Sequence, residues 1–112
     1  MKILNRAKSF YSDEYFISQD IKFELEMMYL RVNGIWRECE ESTRSMNFDD
    51  MLDSQGNKIF ASLSASGKGG DIMKDDEYYG IAKYKDIRFV VEYENVEECL
   101  YEGNFEVIGI QE

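Results

Sequence analysis

Between Ile87 and Glu94 the side chains alternate, with Ile87, Phe89, Val91 and Tyr93 on one set and Arg88, Val90, Glu92 and Glu94 on the other. A two-residue period sends the two sets to opposite sides of an extended chain, and β-branched and aromatic residues favour that backbone, so the run is predicted to be a strand. Tyr78 to Tyr84 reads as the strand before it, with Lys85-Asp86 as the connecting turn although no glycine is present. Phe105 to Ile110 reads as a last strand, and Asn95 to Tyr101 as a short helical turn between the two.

The first half is more ambiguous. Ile21, Phe23, Leu25 and Met27 alternate with charged residues, after which Met28, Leu30 and Val32 continue on the other parity. One strand with a β-bulge near Met27-Met28 accounts for the change, because a bulge adds one residue. An amphipathic helix through Ile21, Leu25, Met28, Tyr29 and Val32 is the rival reading, but it leaves Phe23 and Leu30 off the apolar stripe. Asn33-Gly34 between apolar runs signals a hairpin in the strand reading, since both positions tolerate positive φ, and a helix stop in the helical one.

At 112 residues the chain fits one domain, residues 1–112, with one core. Its formal charge of −10 opposes binding to a nucleic-acid backbone or an anionic membrane, and favours basic partners or plain solubility. No apolar run approaches the roughly 20 residues of a membrane span, and Met1 to Arg6 lacks the apolar centre of a signal peptide. Cys39 and Cys99 have no metal-ligand spacing and are expected as free thiols in a reducing compartment, so the chain is expected in the cytoplasm.

The chain has no histidine, which removes the commonest general base and both Ser-His and Cys-His activation. Glutamates beside both cysteines should raise rather than lower a thiol pKa, so neither is expected to be a nucleophile. Asp49, Asp50 and Asp53, followed by Gly56 and Asn57, offer oxygen ligands to a hard cation but lack the alternation of an EF-hand; a tight turn with Gly56 at positive φ is the simpler reading. No cofactor and no catalytic residue is assigned.

Two segments remain as candidate binding elements. Residues 62–70 are small and polar, and are expected to form a mobile loop whose Gly67, Lys68, Gly69 and Gly70 resemble a phosphate nest without the spacing of a Walker loop. That loop carries an alternative reading, capture of a small molecule or nucleotide signal. The other segment is the C-terminal end, where no Lys or Arg follows Arg88. There Glu92, Glu94, Glu97, Glu98, Glu102 and Glu106, with Asp75, Asp76 and Glu77 from upstream, predict a one-sign surface. Such a surface is ordinarily solvation at a sheet edge, but it also has the charge to imitate a nucleic-acid backbone in a basic groove of another protein. Tyr78, Tyr79, Tyr93 and Tyr101 are the aromatic anchors such an interface would use.

Four segments resemble the YopX family of phage and prophage proteins. Lys2-Ile3-Leu4-Asn5-Arg6-Ala7 is similar to the family's basic opening strand, and 53–60, Asp-Ser-Gln-Gly-Asn-Lys-Ile-Phe, to its Asp-x-x-Gly-x-x-Ile-Tyr segment. Gly70-Asp71-Ile72-Met73 resembles its Gly-Asp-Ile-Val, and Phe105-Glu106-Val107-Ile108-Gly109 its closing Glu-Val-Ile-Gly. The resemblance is strongest over 53–110; in the family the second and third pieces are nearly contiguous, whereas here 61–69 separates them. It implies a β fold and a phage origin, and it carries no catalytic residue because the family has no agreed biochemical function. The expectation is a mainly β protein, a twisted antiparallel sheet or small open barrel with one or two short helices. Its expected role is non-catalytic binding of a basic host protein such as a nuclease effector, as an inhibitor of a DNA-targeting defence nuclease in the manner of an anti-CRISPR; a structural or accessory phage role is the further alternative.

Overall fold

The computed structural model describes residues 2–76, 78–94, 96–99 and 104–112. It is mainly β, with nine strands in one curled, open half-barrel sheet and three in a second, small sheet. The strands are β1 (Ile3–Lys8), β2 (Tyr15–Ser18), β3 (Ile21–Glu24), β4 (Met27–Val32), β5 (Ile35–Cys39), β6 (Ser45–Phe48), β7 (Ala61–Ser62), β8 (Asp71–Asp75), β9 (Tyr78–Lys85), β10 (Arg88–Tyr93), β11 (Val96–Cys99) and β12 (Glu106–Ile110). The large sheet runs β11-β10-β9-β7-β6-β1-β2, with β8 pairing β9 and β12 pairing β8, and the small sheet runs β3-β4-β5. Among the described residues, helix is confined to one 3-10 turn, Glu41–Thr43, where one or two short helices were expected.

Residues 21–32 are neither a helix nor one bulged strand. They form a hairpin, β3 against β4 with Glu24 opposite Met27, closed by a two-residue turn at Leu25 and Glu26. Both turn residues adopt positive φ, 51° and 65°. Reversal at a two-residue turn changes which parity faces the core, as a bulge would, and so the sequence pattern alone does not separate the two. Asn33-Gly34 then closes β4 onto β5 with Val32 opposite Ile35, as the Asn-Gly signal predicts.

The β9–β10 hairpin closes one residue later than predicted: Lys85 faces Arg88, and Asp86-Ile87 form the tip with φ of 53° and 63°. The predicted helical turn within 95–101 is corrected as well. Val96–Cys99 is strand β11, paired to β10 with Tyr93 opposite Val96, while Tyr101 lies outside the described residues. The physical reason is a partner that local sequence does not show, since the edge of β10 offers a ladder of hydrogen bonds that outweighs the helical preference of Glu97 and Glu98.

Two cores follow from this topology. The larger gathers Met51, Ile59, Ala61, Met73, Ala82, Phe89, Val91 and Phe105 inside the curl of the large sheet. The smaller joins the small sheet to the other end of the large one, through Met28, Leu30 and Cys39 against Ala7, with Phe16 and Ile21 at its margin. Between them lies a buried polar clip: Arg6 on β1 donates to Asp71 on β8 at 2.8 Å and to the Gly69 carbonyl at 2.8 Å, and the Phe60 N–H donates to Asp71 at 2.7 Å. The Arg6 guanidinium also stacks 4.5 Å from the Phe60 ring centre. Burial pushes the Asp71 carboxyl upward, and the charge of Arg6 and the Phe60 amide oppose that shift.

Candidate functional site: a tyrosine and carboxylate end of the large sheet

The period-two pattern of β9 and β10 divides the predicted site residues between two faces. Tyr78 and Tyr93 share the core-side face beyond the last buried residue, their ring centres 5.6 Å apart. The Tyr93 hydroxyl donates to Glu98 on β11 at 3.0 Å, and that hydrogen bond, followed by burial, pushes the phenol upward. Asp75 faces Tyr78 across the β8–β9 pair, Asp76 follows it at φ 50°, and Glu94 turns the chain after β10 at φ 53°. Tyr78, 60% exposed, Tyr93, Asp75 and Glu98 therefore meet at one end of the sheet, with Asp76 following Asp75, whereas Glu94 lines a pocket with Lys85, Glu92 and Glu97.

The opposite face departs from the expected one-sign surface. Glu92 accepts from Lys83 at 2.8 Å and from Lys85 at 3.4 Å, while Glu97 accepts from Lys85 and, at 3.1 Å, from Arg88. The hydrogen bond from Lys83 holds the Glu92 carboxyl below its usual range, and Glu97 followed by Glu92 raises the Lys85 ammonium. Glu92 and Glu97 thus belong to a neutralised ladder. The missed signal was present in β9, where Lys83 and Lys85 have the spacing that faces Glu92 once the hairpin register is known. Tyr79 lies on this second face under the Lys74 ammonium, 5.6 Å from its ring centre, apart from Tyr78. Glu106 pairs opposite Lys74 on β12, and Glu77, Tyr101 and Glu102 lie outside the described residues.

The 62–70 segment is tied down rather than free. Ser62 is buried and donates to the Lys68 carbonyl at 2.8 Å, and Lys83 donates to the Ala65 carbonyl at 2.8 Å. The four amides that would form a phosphate nest are all engaged: Gly67 with the Ser64 carbonyl, Lys68 with the Ser66 hydroxyl, Gly69 with the Gln111 carbonyl and Gly70 with the Gly67 carbonyl. Gly69 has φ 81°, and a Cβ there would run into the Thr43 carbonyl, so glycine is required for close approach rather than for ligand binding. A small-residue run reads as mobile when its hydrogen-bond partners are distant in sequence, as Gln111 and Lys83 are.

The Asp53 turn also uses its own oxygens. Asp53 accepts from the amides of Gln55, Asn57 and Val107 at 2.9, 2.7 and 2.8 Å, and from the Asn57 side chain at 3.1 Å. Burial alone would raise its carboxyl, but these four donors outweigh it and hold it below the usual range. Gly56 sits at φ 83° in the turn, as expected. Cys39 is buried, and burial pushes its thiol up to about 11, with the neighbouring Glu38 adding to the effect against a backbone hydrogen bond.

Comparison with protein-family models, curated proteins and solved structures finds no match. The tyrosine end offers groups that recognise a cation. A guanidinium both stacks on an aromatic face and forks onto a carboxylate, and Tyr78, Tyr93, Asp75 and Glu98 present those two partners together.

Proposed function

We propose that this chain is a non-catalytic protein-binding module of phage origin whose tyrosine and carboxylate end occupies a basic groove on a host protein. The observation that supports it is the Tyr78–Tyr93 ring pair set beside Asp75 and Glu98. A groove built to hold DNA presents arginines and lysines to phosphates, so a host DNA-targeting nuclease is the partner class that fits, and occupying its groove would inhibit it. The phage origin rests on the family resemblance.

The acidic set is smaller than the full run of carboxylates, because Glu92 and Glu97 are already paired within the chain. This separates the surface experimentally. A tagged chain is used to capture proteins from bacterial lysate at low salt; a basic, nucleic-acid-binding protein should be retained and then released by higher salt. Replacing Asp75 and Asp76 with Lys should weaken that capture at least tenfold, whereas Glu97→Gln should leave it within about twofold. Capture indifferent to the double replacement would reject this end of the sheet, and recovery of only non-basic proteins would reject the mimicry.

A further inference from the structure

The turn that closes β4 onto β5 is Asn33-Gly34, with Val32 opposite Ile35 and φ of 52° and 80° at its two residues. Asn-Gly suits this turn because asparagine tolerates positive φ and glycine carries no Cβ. The same pair is chemically labile. A main-chain nitrogen that follows an asparagine can attack the side-chain amide carbon and close a five-membered ring, and a side chain on the attacking residue would hinder the approach.

Asn33 and Gly34 are both exposed, and among the described residues no hydrogen bond engages the Gly34 N–H. Nothing beyond the adjoining residues lies within 4 Å of where a Cβ on Gly34 would stand, so no packing holds the tip against the rotation that ring closure needs. The other asparagines lack these conditions. Asn5 and Asn47 are buried, and each uses its side chain, Asn5 accepting from Arg44 and Asn47 donating to the carbonyls of Met51 and Ile59. The Asn57 side chain donates to Asp53, and Lys58 follows it. Asn104 precedes the buried Phe105, and Asn95 lies outside the described residues.

We propose that Asn33 is a self-modification site, where the β4–β5 turn deamidates and isomerises in water without an enzyme. The Gly34 N–H gives its proton to hydroxide, its nitrogen bonds to Asn33 Cγ, and the Cγ–Nδ2 bond breaks to release ammonia, which takes up a proton. Water then opens the succinimide. Cleavage between the Gly34 nitrogen and Cγ gives aspartate, and cleavage between that nitrogen and the Asn33 main-chain carbonyl carbon gives isoaspartate. One water is consumed, one ammonia leaves, and nothing is oxidised or reduced. Aspartate keeps the turn, since Asp-Gly favours the same geometry. Isoaspartate routes the main chain through Cβ and Cγ, which lengthens a two-residue loop whose twist must match both strands, so the Val32–Ile35 pair is lost. Loosening then runs along β5 toward Cys39 in the smaller core. The site is separate from the tyrosine and carboxylate end, because β4 and β5 belong to the small sheet.

The test is incubation of the full chain in mildly alkaline buffer, folded and in urea, followed by peptide mapping with mass spectrometry. In the folded protein the peptide containing Asn33 should gain the mass of an amide-to-acid change at least tenfold faster than peptides containing Asn57 or Asn104. Electron-transfer fragmentation should find both aspartate and isoaspartate at that position, and Asn33→Asp should co-elute with the first product. Hydrogen exchange before digestion should be faster across the turn in the isoaspartyl peptide than in the aspartyl one. Asn33→Gln, which would need a larger ring, should not convert; should it fail to fold, mapping of the unaltered chain still decides. Conversion in urea alone, equal conversion at Asn57 or Asn104, or equal exchange in the two products would each overturn the proposal.

Discussion

Arg6 and Asp71 are 65 residues apart in sequence and almost fully buried together, each meeting hydrogen-bond demand that no apolar residue would create. Breaking such a pair leaves one charge stranded, whereas replacing both partners removes the demand. Asp71→Asn is therefore expected to lower stability by about 3–5 kcal/mol in urea titration, and Arg6→Met added to it should recover a substantial part. At Asp53 the folded-state carboxyl lies below its unfolded value of 3.8, so its contribution is present above that range and disappears as pH falls through the lowered value. Asp53→Asn should flatten the acid limb of the stability profile measured by urea midpoint between about pH 5 and 2. Burial pushes the Cys39 thiol up to about 11, so in the native protein it should escape alkylation at neutral pH and label only on unfolding, as read by peptide mass spectrometry.

Hairpin tips carry the most local strain. Leu25 is 92% exposed at φ 51° and Ile87 is 89% exposed at φ 63°, a left-handed conformation that disfavours side chains and β-branched ones most. Replacing Leu25-Glu26 with Asn-Gly, or Ile87 with Gly, should raise stability by about 1 kcal/mol, measured by urea midpoint at constant slope. An unchanged or lowered midpoint at both tips would mean that these side chains make contacts that offset their strain. The turns also explain the sequence pattern. Asn33-Gly34 was legible because its chemistry demands positive φ, whereas Leu25-Glu26 and Asp86-Ile87 were displaced or missed because nothing in their residue types announces it.

Taken whole, the molecule closes by contacts far apart in sequence: β7 meets β9 in parallel at Ser62 and Lys83, β1 meets β6, and β12 returns to β8. Loop closure must precede such pairings, so refolding is expected in the range of milliseconds to seconds by stopped-flow fluorescence of Trp36. The chain has no proline, and a phase lasting tens of seconds from prolyl isomerisation should be absent. What local physics determines, the sequence shows on its own: period-two alternation makes Arg88–Tyr93 a strand, Asn33-Gly34 a hairpin and Gly56 a turn, and the apolar alternations supply faces that must be buried. Tertiary structure alone decided the rest, because it depends on register and partners. It made β11 a strand by giving it the edge of β10, tied 62–70 through Lys83 and Gln111, and neutralised Glu92 and Glu97 by bringing Lys83, Lys85 and Arg88 across the hairpin.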